Sequence, residues 1–284
     1  MSTMDPMSTM SGLEFVELRE AARKLETQSL AMKVADRIGV PVETLLHMLP
    51  KSAQKSVGAA VQKALERCLQ VALRIGPKRD PKAGALSRPL RPPVQHRRMH
   101  VAAAAVSGAV GGFFGLPGML VELPITTTLM LHSIVEIARA QGEDLSDPAN
   151  ALACLEVFAL GPGGKVHAEA LESAYYVSRA ALTQATREAT HFLLQKGAAK
   201  EGAPALVSFL SRVAARFGME VSEKVAAELV PIAGALGGLT LNVMFSRHFQ
   251  DVAEGHFTVR RLERKYGVEE VRVQYERARR LLLA

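Results

Sequence analysis

The chain has 284 residues, of which 48% are hydrophobic and 22% charged, close to globular averages, so a disordered chain is excluded. Two cysteines, Cys68 and Cys154, exclude a disulfide framework and a four-cysteine zinc site and fit a reducing compartment. Lys plus Arg outnumber Asp plus Glu by 35 to 28, a net +7, which suggests an anionic partner such as phospholipid or nucleic acid without excluding a plain soluble surface.

Aromatic residues are 5% of the chain and Trp is absent, so the expected core is built from Ala, Leu and Val. The N-terminal MSTMDPMSTM has no basic stretch ahead of an apolar one. It reads as a tail over residues 1–10 rather than a signal peptide. Ser11 and Glu14 form a capping-box pattern, and Leu13, Val16, Leu25, Val34 and Ile38 recur at helical spacing up to Gly39. After Pro50, the positions Val57, Val61, Ala64, Leu65, Cys68, Val71, Ala72 and Ile75 mark an amphipathic helix. Cys68 lies on that stripe and reads as a small core residue rather than a nucleophile.

Residues 76–98 carry five prolines, seven Lys or Arg and one acid, which reads as a basic linker. Residues 101–121 carry no charge and are about the length needed to cross a bilayer. Glycines at 108, 111, 112, 115 and 118 favour close helix approach. Pro117 predicts a break near 115–118, and Pro124 a second helix ending at Gly142. The pair reads as a helical hairpin with Phe113, Phe114 and Leu116 at its tip.

Asp147 and Pro148 are an N-cap and first-turn pair for a helix running to Leu160. A helix over 165–195 is expected to bury Val166, Ala170, Ala174, Val177 and Ala181. Another spans 204–217, with a break at Gly218. The next starts near Ser222 and runs to about Lys265, through a second charge-free stretch, 229–246, kinked at Pro231. A basic segment closes the chain. No sustained period-two alternation occurs, so the fold class is all-α: a multi-helix bundle with a central pair of glycine-rich apolar segments. The divisions expected are helices over 11–75, the linker over 76–100, and a core over 101–284 that also draws in 50–75.

The segments GLPGMLVELPITTTLMLHSIVEIARAQGEDLSDP, LEVFALG and VPIAGALGGLTLNVMFSRHFQDVAEGHFTVRRLERKYG resemble the EcsC protein family over roughly residues 50–267. The resemblance implies a helical domain found mostly in bacteria and a membrane context. It implies no reaction, because the family carries no established activity.

No catalytic motif stands out. Ser107 lacks a nucleophile elbow, no H-E-x-x-H sequence occurs, and 161–165 lacks a phosphate-loop pattern. His132 and Glu136 are four apart on one helix, and His248 and Asp251 are three apart on another, with Glu254 and His256 nearby. Convergence of those pairs would make a metal or acid–base site; surface pairing is the simpler reading. Glu122 lies between apolar runs, where an unpaired carboxylate is costly. It and Asn242 are read as structural polar anchors, with Arg139, Arg247 or a helix N-terminus as neutralising groups.

The leading expectation is a peripheral membrane-associated or lipid-binding protein on the cytoplasmic side. It would take anionic lipid or an acyl chain, or dock on a membrane protein. Phe113, Phe114 and Leu116 are the apolar contacts. Antiparallel packing of the two uncharged runs would bring Arg97, Arg98 and Arg247 to the headgroups. A soluble core for those runs is favoured over insertion, because glycine and proline weaken the insertion signal. The alternative is an enzyme using His132, Glu136, His248 and Asp251. Glu269, Glu270 and Glu276 among the C-terminal arginines argue against nucleic acid. No cofactor or metal is called for, and the oligomeric state is not legible.

Overall fold

The computed structural model describes residues 10–26, 44, 50–74, 115–161, 173–196, 203–228 and 231–283. The described residues are all-α. The helices are α1 (Gly12–Glu26), α2 (Lys51–Arg74), α3 (Gly115–Ala140), α4 (Pro148–Glu156), α5 (Ala174–Lys196), α6 (Pro204–Glu228), α7 (Pro231–Tyr266) and α8 (Val268–Leu283). A 3-10 turn, Val157–Ala159, follows α4. The basic linker, Ile75 and Phe113 and Phe114 lie outside the described residues.

Local chemistry sets most helix ends. Ser11 Oγ accepts from the Glu14 amide at 3.3 Å and donates to the Glu14 carboxylate at 2.7 Å, which starts α1. Asp147 accepts from the Ala149 amide at 2.9 Å with Pro148 in the first turn of α4. Gly142, at φ +82°, closes α3: its N–H reaches the Arg139 carbonyl at 2.9 Å, and the Glu143 N–H reaches that of Ala138 at 3.0 Å. This double closure needs a left-handed residue, which glycine supplies without strain.

Several boundaries differ from expectation. α3 runs unbroken from Gly115 through Pro117 and Pro124, so Leu116 sits in a helix's first turn rather than at a described hairpin tip. Pro124 donates no backbone hydrogen bond, and the next threonines bond back one turn. Thr127 Oγ1 donates to the Leu123 carbonyl and Thr128 Oγ1 to that of Pro124, each at 2.7 Å. α6 passes straight through Gly218, whose absent side chain faces open space. Pro231 opens α7 rather than kinking a longer helix.

Two stripes also shift. On α1, Leu13 and Val16 are exposed and Leu18, Ala21, Ala22 and Leu25 are buried. On α5, Val177 and Ala181 face out and Tyr175, Leu182, Ala185, Ala189 and Leu193 face in. In both helices the packed face combines leucines with alanines and is rotated away from Leu13 and Val16 on α1 and from Val177 and Ala181 on α5. The α2 stripe is buried as read from Val57 to Ala72, except that Val71 is half-buried.

α1 lies against α7 and α8, α2 against α3, α4 and α6, α5 against α4 and α6, and α7 against α3, α6 and α8. One continuous apolar core joins them, α1 and α2 included. Most of its residues are Ala, Leu and Val, as composition leads one to expect, and an aromatic cluster lies among them. Phe158, Phe217, Phe245 and Phe249 interlock at ring-centroid distances of 4.9–6.0 Å. The few aromatics are concentrated inside, where each buries the most area per residue.

α3 and α7 run parallel. Asn242 bonds Glu122 at 2.6 Å, Gln250 bonds Ser133 at 3.0 Å, and Arg260 bonds Glu143 at 2.9 Å. Each partner lies further along both chains than the last, which an antiparallel pair cannot do. The antiparallel pairing expected of the uncharged runs 101–121 and 229–246 involves residues 101–114, which lie outside the described residues.

α1 crosses α7 at Gly255. A Cβ there would sit 2.7 Å from Leu25 Cγ and 3.1 Å from the Ala21 carbonyl oxygen. Gly58 on α2 is exposed, with nothing within 4 Å of such an atom. The same substitution thus has opposite signs. Gly255→Ala is expected to cost about 1–3 kcal/mol, and Gly58→Ala to stabilise by about 0.5–1 kcal/mol. Chemical denaturation of both variants checks this.

Candidate functional site

Helix α7 buries an unusual number of polar side chains for a core helix: Asn242, Ser246, His248, Gln250, His256 and Glu263. They fall into three groups along its length, each facing a different neighbour.

The first group faces α3. Glu122 accepts from Asn242 Nδ2 at 2.6 Å and from Thr126 Oγ1 at 3.0 Å, with all three residues buried. The two sequence-predicted anchors are therefore in direct contact. Neutralisation by Arg139 is excluded by length, since it lies 17 residues, about 25 Å, further along the same helix. Arg247 is exposed. Gln250 and Ser133 repeat the polar contact about two turns on.

The second group faces α6. His248 Nε2 lies 3.2 Å from Glu220 Oε2, and both side chains are buried. Glu223, also buried, follows one turn later. Burial, and then the Glu220 charge, push the Glu223 carboxyl up to about 7 against the opposing pull of Arg216.

The third group faces α1, α5 and α8. Arg179 makes a two-pronged ion pair with Glu263 at 2.7 and 2.8 Å and donates to the Tyr175 hydroxyl at 3.3 Å. The same hydroxyl lies 3.0 Å from His256 Nδ1, within hydrogen-bond reach. Burial, reinforced by Arg179 and Arg260, holds the His256 imidazole well below its usual range and therefore neutral. Beside it, Glu26 caps α5. Its carboxylate accepts from the Ala174 and Tyr175 amides at 3.2 and 3.3 Å, from Tyr275 at 3.0 Å, and from Ser173. At the end of α7, Arg260 and Arg264 both pair with buried Glu143. Burial alone would raise that carboxyl; the two guanidinium groups outweigh it and hold it low.

The expected acid–base constellation does not assemble. His132 is exposed and bonds its own helix at the Thr128 carbonyl, 2.8 Å away, whereas His248 points inward to Glu220. Glu136 shares the His132 helix, and Asp251 is only half-buried on α7, within electrostatic reach of Arg23 on α1. Among the described residues no group of three or more His, Cys, Asp or Glu is placed to hold a metal ion. Cys68 and Cys154 are buried, and desolvation pushes both thiols up to about 12, so neither is a poised nucleophile. Arg97 and Arg98 lie outside the described residues.

Sequence reading missed Glu26, Glu143, Arg179, Glu220 and Glu263. Their roles depend on helices distant in the chain, and charged residues on amphipathic helices ordinarily read as solvent-facing.

These features define an all-helical protein whose long C-terminal helix is tied to its neighbours by buried polar contacts. The EcsC protein family model matches residues 14–262, and the chain belongs to that family. The match takes in α1, ahead of the segments that carry the resemblance. No curated protein and no solved structure matches the chain.

The Glu122 contact yields a graded prediction. Asn242→Ala removes a buried donor and leaves the carboxylate short of a partner, for an expected loss of about 2–4 kcal/mol. Pairing it with Glu122→Gln should recover part of that loss, because the remaining group carries no charge. A double-mutant cycle by urea denaturation measures the coupling.

Proposed function

We propose that this protein is a peripheral membrane protein that binds anionic lipid through the end of the molecule where α3 and α7 begin. The observation carrying the reading is the parallel pairing of these helices. It brings the uncharged beginnings of the two helices, 115–121 of α3 and the first residues of 231–246 in α7, to one end. Glu122, which would be the charge nearest that end on α3, is buried against Asn242 and Thr126.

The exposed face of α3 supports the same orientation. Val121 and Ile125 are 74% and 52% exposed near its start, and His132 and Arg139 are exposed toward its finish. The surface thus passes from apolar to cationic along the axis. Leu120–Ala140 is long and apolar enough to cross a membrane, but most of it is buried inside the protein. Contact with the lipid surface, not spanning, suits that burial. Exposed Arg247 lies roughly level with Leu129, about 12 Å along the axis from Val121. That is a depth at which a cation meets headgroups while apolar side chains enter the acyl boundary. The net charge of +7 acts in the same direction.

Sedimentation of the full chain with vesicles of equal phosphatidylglycerol and phosphatidylcholine is the test. Binding is expected at low salt, weaker at high salt, and weaker still on phosphatidylcholine alone. Val121→Asp combined with Ile125→Asp should weaken it about tenfold or more, and Arg247→Glu by a few fold. Failure of the wild-type chain to sediment with anionic vesicles at low salt overturns the reading.

A further inference from the structure

Buried ionisable groups are costly, and two carboxylates one turn apart in the same interface are costlier, since each opposes the charge of the other. Glu220 and Glu223 are such a pair. They are 5% and 9% exposed on α6, where it packs against α7, and His248 at 3% meets Glu220 across that contact. Lys224 is turned over the Phe245 ring, 5.3 Å from its centroid, and Arg216 donates to the Gly161 carbonyl at 3.0 Å. Among the described residues, the buried faces of α2, α5 and the 3-10 turn carry two ionisable side chains, Cys68 and Tyr175, both kept neutral by burial.

We propose that the α6–α7 contact at Glu220, Glu223 and His248 is a proton-operated latch, closed when Glu223 is protonated and loosened when it ionises. The closed state holds a neutral carboxylic acid beside Glu220. Loss of the Glu223 proton places a second anion in the interface, and separation of the helices lets water solvate it.

The direction follows from linkage. Burial and Glu220 raise the Glu223 carboxyl to about 7 from an ordinary 4.5. Opening restores the ordinary value, so it releases a proton and is favoured as pH rises from about 4.5 to about 7, then levels off. The latch lies on the C-terminal half of α6 against the middle of α7, about 25 Å along the axis from Pro231 and away from the end assigned above to lipid. Its operation does not require that assignment.

Hydrogen exchange by mass spectrometry on the full chain, without vesicles, reads the latch directly. After correction for the intrinsic pH dependence of exchange, protection of peptides from 216–228 and 240–252 should fall about tenfold or more between pH 5 and pH 8, while α8 peptides stay constant. Glu223→Gln should flatten that dependence with the contact kept closed. Glu220→Gln, which removes the repelling charge instead, should reduce it. Equal wild-type protection at both pH values overturns the proposal, as does a Glu223→Gln or Glu220→Gln protein with the full wild-type pH response. Vesicle binding without this response leaves the lipid reading standing and removes the latch; the converse result does the opposite.

Discussion

The parallel alignment of α3 with α7 is the constraint on which the rest of the structure depends. Apolar faces alone define such an alignment poorly, because sliding one helix past another by a turn exchanges one set of methyl groups for another. Buried polar pairs do not tolerate such a slide. Asn242 with Glu122 and Gln250 with Ser133 pair along both helices, and Arg260 with Glu143, just past the end of α3, follows at nearly the same offset. A one-turn slip would leave a carboxylate, an amide and a guanidinium unpaired in the interior at once. The polar contacts therefore select a register within a bundle that hydrophobic burial stabilises.

With that register set, the other neighbours of α7 follow. Gly255 lets α1 approach so closely that the Leu25 side chain occupies the space of a Cβ. The Glu26 carboxylate at the end of α1 then reaches the first turn of α5, where free amides and the helix dipole favour an anion. Tyr275 from α8 joins the same carboxylate. One side chain thus ties three helices together at a point where each would otherwise bury an unsatisfied polar group. The aromatic cluster of Phe158, Phe217, Phe245 and Phe249 fills the space between α6, α7 and the 3-10 turn. It also borders the latch, since Phe245 and Phe249 flank His248 on either side of the helix turn.

The same arrangement gives the molecule two unlike ends. At the start of α3 and α7 the chain is uncharged, and its one nearby carboxylate on α3 is turned inward. At the finish of α7, Arg260, Arg264, Glu143, Glu14 and Lys265 form a network of ion pairs. Hydrogen bonds from Lys265, Tyr266 and Ser11 overcome the effect of burial and hold the Glu14 carboxyl down to about 2, so that end stays charged and closed through neutral pH. The buried acid pair on α6 lies against the middle of α7, between these two ends.

Local chemistry was legible in the chain itself. The capping box at Ser11, the Asp147–Pro148 start, the Gly142 stop and the α2 stripe each depend on residues within a few positions of one another, and each forms as read. The absence of strand periodicity fixed the all-helical class for the same reason. Glu122 and Asn242 were legible as polar anomalies in apolar runs, but not as partners, since 120 residues separate them and nothing local encodes direction of packing. Tertiary packing decided that α3 and α7 run parallel, that His132 and His248 face apart, and that ordinary-looking acids such as Glu26 and Glu220 are buried. A helix sequence specifies how many of its side chains want burial; which neighbour receives them is settled only when all the faces are satisfied together.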